Sequence, residues 1–83
     1  MNTELAQRLA VIDRVLDGLV PLCGEPFAPD GRVNRDWFKR DYLQRQLPRL
    51  EGRRDLKALR ELRTVERRTR SLMLKLTKGG DDE

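Results

Sequence analysis

Residues 53–78 read RRDLKALRELRTVERRTRSLMLKLTK, and this stretch decides the fold. Within it Ala58, Leu62, Val65, Thr69, Leu72 and Leu76 recur in alternating steps of four and three, with Leu59 and Met73 beside them. That spacing draws one stripe along an α-helix and is incompatible with the two-residue period of a strand. At ~1.5 Å per residue the helix extends roughly 39 Å.

The opposite side of the same helix carries charge. Set at 100° per residue, an arc of ~160° collects Arg53, Lys57, Arg60, Arg63, Arg67, Arg68, Arg70, Lys75 and Lys78. The acids of the stretch, Asp55, Glu61 and Glu66, fall outside the arc, toward the borders of the apolar stripe. Arg63 and Arg67 stand one turn apart, a like-charged pair that costs a few tenths of a kcal/mol in an isolated helix. A helix needing only solubility usually intersperses glutamates, so the acid-free arc points to an anionic partner.

Upstream, a second seam matches the first. Leu5, Leu9, Ile12, Leu16, Leu19 and Cys23 follow the same four-three rhythm, and Val11, Val15 and Leu22 make a second apolar strip. The pattern predicts a helix over 3–23, with Thr3 as its N-cap, Glu4 in the first turn and Gly24 as its stop. Residues 24–34 read as a loop built on Pro26, Pro29 and the Asp30-Gly31 turn pair. A small hairpin between Phe27-Ala28 and Arg32-Val33 is the alternative, on flanks too short to stand alone.

Asn34 is placed to cap a middle helix over 35–47, with Asp36 in its first turn. Trp37, Phe38 and Tyr42 fall to one side of it, and Leu43, Leu47 and Leu50 to another. Pro48 disfavours helical geometry at Leu47 and removes a donor, so a kink or break belongs there, and Gly52 weakens the same place. The third helix then covers 53–78, and 79–83 form a short acidic tail. The expected fold is all-α: two long amphipathic helices and a shorter one in a single helical domain over 1–78. Self-association is expected through Leu5, Leu9, Ile12, Leu16 and Leu19 with Leu62, Val65, Leu72 and Leu76, as a homodimer or as a subunit of a complex.

Composition narrows function without naming it. Charged side chains make up 39% of the 83 residues, well above the usual ~25%, as long solvated helices require. The charge is segregated: residues 1–31 balance to −3 and residues 32–78 to +10, before three acids at the end bring the total to +4. Arginines outnumber lysines fourteen to four, and guanidinium forks grip phosphate or carboxylate with two bonds and stack on bases. No stretch has the roughly 18 continuous apolar residues that a membrane helix needs, and no secretory leader is legible. The single cysteine, Cys23, sits in the seam as a small hydrophobe, consistent with a reducing, cytoplasmic setting.

Catalysis has little to work with. There is no histidine, no glycine-rich phosphate loop and no metal-ligand spacing, so no enzyme activity, cofactor or metal is expected. The leading expectation is a small regulatory or accessory protein that contacts the phosphate backbone of DNA or RNA. The residues singled out are Arg53, Lys57, Arg60, Arg63, Arg67, Arg68, Arg70 and Lys75. Trp37, Phe38 and Tyr42 are expected chiefly to give bulk to the core, with base stacking or a partner hot spot as the other use. A helix-turn-helix reading puts Arg53, Arg54 and Lys57 in a major groove, but the third helix is longer than groove reading needs. The competing function is a protein-interaction module (an adaptor, an inhibitor or a small subunit) facing an acidic or apolar protein surface.

Overall fold

A computed structural model describes residues 3–78. The acidic tail at 79–83 lies outside the described residues, as does the side chain of Thr3 expected to cap the first helix. Among the described residues four helices follow one another: α1 (Thr3–Gly18), α2 (Val20–Cys23), α3 (Arg35–Leu50) and α4 (Leu56–Thr77). Among the described residues there is no strand, and the all-α bundle expected from the two seams is what forms.

The first helix is shorter than its seam. The continuous helix expected over 3–23 breaks at Leu19 because Pro21 offers no N–H and its ring collides with the carbonyl four residues back, that of Asp17. The Leu19 amide divides itself between the Val15 and Leu16 carbonyls, both at 3.1 Å, and the single turn α2 follows. Leu19 and Cys23 remain buried, so the seam continues across the break. Gly24 stops α2 at φ 81°, a backbone region glycine enters without strain.

The loop after α2 is folded back on itself by one isolated antiparallel bridge, Phe27 with Val33, around the turn at Asp30-Gly31. Ala28 N–H donates to the Arg32 carbonyl at 2.8 Å, and Arg32 N–H to Asp30 Oδ1 at 3.0 Å. Asn34 anchors the loop to the helices on both sides. Its Oδ1 accepts from the Trp37 amide as the α3 cap, while its Nδ2 donates to the carbonyls of Cys23 at 2.6 Å and Glu25 at 2.8 Å.

Pro48 neither breaks nor ends α3, which runs on to Leu50. The proline sits in the last turn and removes one helical donor, the one to the Gln44 carbonyl, but Glu51 N–H still reaches the Leu47 carbonyl at 3.2 Å. The reversal comes at Glu51-Gly52, where Gly52 takes φ 81° and Arg53 N–H closes on the Leu50 carbonyl at 3.1 Å. Asp55 caps α4 by accepting from the Ala58 amide, so α4 begins at Leu56 and not at the Arg53 expected.

The core is the two seams closed on each other and on one face of α3. Leu5, Leu9, Ile12, Leu16, Leu19 and Cys23 meet Ala58, Leu62, Val65, Thr69 and Leu72, with Leu43, Leu47 and Leu50 completing the cluster; Leu76 is partly buried at its end. This corrects the role expected of the seams. Within one chain they already cover each other, so a second copy would have to use another face. The bundle is also tied at its surface. Arg8 grips Glu66 with a two-pronged pair at 2.6 and 2.9 Å between α1 and α4, and Gln44 reaches Asp13 and Asp17 from α3. The hydrogen bond to Glu66 pushes the Arg8 guanidinium pKa up.

Candidate nucleic-acid interface

The apolar stripe of α4 faces inward, and its cations therefore face out. Lys57, Arg60, Arg63, Arg67, Arg68, Arg70 and Lys78 are all exposed, and among the described residues none has an ion-pair partner. Leu56 and Leu74 stand exposed between them. The acids of α4 are engaged elsewhere, Glu66 with Arg8 and Glu61 at 4.0 Å from Arg53. Among the described residues the carboxylates of α4 thus hold the borders of the bundle and do not pair with Lys57 to Arg70.

Two of the cations expected on the ridge have other attachments. Arg53 lies in the α3–α4 turn, outside the helix, and its fork closes on Asp55 at 2.7 and 3.1 Å. That pair lowers the Asp55 carboxyl to about 2 and raises Arg53 in turn. Arg53 is thus a structural residue of the α4 cap, not a free contact. Lys75 reaches across to Asp36 at the start of α3, Nζ to Oδ1 2.9 Å, and fixes the open end of the α3–α4 hairpin while staying exposed.

The aromatic residues divide. Trp37 is partly buried against the core, and Arg40 lies over its ring at 5.2 Å. Phe38, expected in the core with Tyr42, is instead 39% exposed, and Tyr42 is 55% exposed. The reason is angular: Leu43, Leu47 and Leu50 take the inward face of α3, which leaves Phe38 and Tyr42, one turn apart, on a flank. Phe38 is held there by edge-to-face contacts with Trp37 at 4.9 Å and with Phe27 of the loop at 5.8 Å.

That flank opens onto α4. A groove of about 690 Å³ runs between the first half of α3 and the second half of α4. Its apolar lining is Val33, Phe38, Tyr42, Leu43 and Leu72, and its cations are Arg35, Lys39, Arg67, Arg68 and Lys75, with Ser71 between them. Among the described residues no acid lines it. Sequence reasoning placed the cations of α4 and the aromatics of α3 but did not join them, and it missed Val33 and the part played by Phe27. The available signal was that α3 carries apolar residues on two sides, more than one core contact uses.

Behind the groove, Arg40 is buried at 6% exposure, with Nη1 donating to Gln44 Oε1 at 2.5 Å and Nε without a partner. Nearby, burial pushes the Cys23 thiol up, the Arg40 charge opposing it, and the thiol faces the Asp36 carbonyl at 3.7 Å. A thiol held protonated is a poor nucleophile. Among the described residues no helix is long and apolar enough to cross a membrane. Compared with known protein families, curated proteins and solved structures, the chain matches none of them.

Proposed function

We propose that this chain is a small, non-enzymatic regulatory or accessory protein of the cytoplasm that contacts nucleic acid through the outer face of α4. The observation that carries the reading is the set of six exposed α4 cations, with Lys78 at its end, that have no carboxylate partner among the described residues. Their mutual repulsion is a cost with no return inside the bundle, and phosphates remove it. Fork-shaped guanidinium groups suit phosphate oxygens, and their spread along several turns of α4 suits a backbone track more than a base-reading contact.

The test is salt-dependent binding. If about four of these cations meet phosphates at once, log K for a duplex oligomer falls against log salt with a slope of about −3 to −4. Replacing Arg63 and Arg67 by glutamine, both fully outside the core, should lower the magnitude of the slope by ~2 and weaken binding alike for all sequences. Absence of binding to duplex and single-stranded oligomers at low salt would remove the proposal. A second reading is favoured by the apolar lining of the groove: a protein-interaction module taking an acidic, amphipathic segment, whose binding would depend on Phe38 and Tyr42 and little on nucleic acid.

A further inference from the structure

We infer that the groove between α3 and α4 is a site for unpaired nucleotides, so that the preferred ligand is single-stranded nucleic acid and not a duplex. The inference rests on the nucleic-acid reading of the α4 cations and adds to it the class of strand.

Three observations lead there. First, Phe38 and Tyr42 stand one helical turn apart on the same flank of α3, about 6 Å along its axis, with ring surface left open to solvent. Tyr42 makes no ring contact among the described residues, while Phe38 is braced from behind by Trp37 and Phe27. A braced, exposed ring loses little side-chain entropy on stacking. Second, the cations of the groove bracket these rings from both walls, Arg35 and Lys39 from α3 and Arg67, Arg68 and Lys75 from α4. Four of the five have no ion-pair partner among the described residues. Arg68 and Lys75 lie about 10 Å apart along α4, the length of roughly three nucleotides of a stacked strand. Third, the capacity of about 690 Å³ falls within the range of sites that enclose small ligands, and among the described residues no acid lines the site.

A duplex cannot use this arrangement. Its bases are stacked on each other and present edges, not faces, so the rings would remain unoccupied and only the outer cations would engage. An unpaired strand offers base faces to Phe38 and Tyr42 and phosphates to the cations on either wall, as single-strand binding generally requires. The groove accepts about three nucleotides by this geometry, with no dependence on base identity beyond stacking strength.

The experiment compares a fluorescein-labelled oligothymidine strand with a hairpin duplex of equal phosphate number, by anisotropy at one low salt concentration. The single strand should bind at least about tenfold more tightly. Tyr42→Ala should weaken the single strand roughly five- to 150-fold, the range of one lost stacking contact, and leave the duplex unchanged. Tyr42→Phe should restore binding. Phe38→Ala should act in the same direction, but because Phe38 also braces the loop, the Tyr42 variants decide the matter. Equal affinity for the two ligands, with Tyr42→Ala inert on both, overturns the groove inference and leaves the phosphate reading standing. Binding of neither ligand overturns both. Tight capture of a synthetic amphipathic glutamate-rich helix, lost in Tyr42→Ala, with no oligothymidine binding, overturns the inference in favour of a protein partner.

Discussion

Leu62→Ala tests the claim that the two heptad seams close within one chain. Leu62 is 0% exposed and sits mid-seam on α4, in a cluster that includes the seams of α1 and α4 and the inner face of α3. Truncation to alanine removes about three methylene equivalents, some 2.4 kcal/mol of transfer free energy at ~0.8 kcal/mol each. The unfilled cavity adds to this, and buried leucine truncations in general range from about 2 to 5 kcal/mol. A loss of about 3 to 4 kcal/mol is therefore expected, against a total that for 83 residues is roughly 4 to 12 kcal/mol. In a domain of this size that lowers the melting temperature by about 12–30 °C. Leu74→Ala is the control, since Leu74 is exposed on the outer face and should lose under about 1 kcal/mol.

The assay is urea and thermal unfolding by far-ultraviolet circular dichroism, repeated over a roughly hundredfold span of protein concentration. If the seams belong to one chain, neither the parent nor the variant changes its midpoint with concentration. If the seams are shared between two chains, the same span shifts the apparent stability by about 2.7 kcal/mol. A shift of that size, or a loss below about 1 kcal/mol in Leu62→Ala, would refute the reasoning.

Other outcomes follow from single side chains. The Thr69 hydroxyl is buried in the α4 seam with no hydrogen-bond partner among the described residues, so Thr69→Val should raise stability by about 0.5–1.5 kcal/mol in urea unfolding; a loss would mean that the hydroxyl is satisfied. Arg53 holds the Asp55 carboxyl at about 2, below its ordinary 3.8, so the pair stabilises the fold above pH 3.8 and its contribution is lost as pH falls from there to about 2. Asp55→Asn keeps a capping oxygen and removes the charge, and it should flatten the acid side of the melting-temperature profile in that window; an unchanged profile would rule out the pair as its source.

How far the fold was legible can be read from three places. The seams were legible because burial of a helix stripe is a repeating requirement, and every residue from Leu5 to Cys23 and from Ala58 to Leu72 in those series is buried. The breaks were not, because they depend on single residues whose effect turns on position. Pro21 ends a helix that the seam alone would carry on to Cys23, while Pro48, where a kink or break was expected, lies inside α3 near its end. The start of α4 was misplaced by three residues because Arg53 resembles a helix cation, whereas the cap is set by the Asp55 side chain reaching the Ala58 amide.

The candidate site divides along the same line. Outward display of the α4 cations follows from periodicity within one helix, and the structure puts Lys57 through Arg70 outside. Joining those cations to Phe38 and Tyr42 required the rotation of α3 about its own axis, which depends on which of its two apolar sides wins the core. Leu43, Leu47 and Leu50 win because three leucines at four- and three-residue steps mesh with the other seams, and a helix has only one side to give. Displacement of the aromatics is therefore a consequence of core packing. Their placement beside an acid-free run of cations is not, since the core is indifferent to whether Lys39, Arg67 or Arg68 is basic. Packing thus leaves free a face that combines open rings with guanidinium groups unpaired among the described residues.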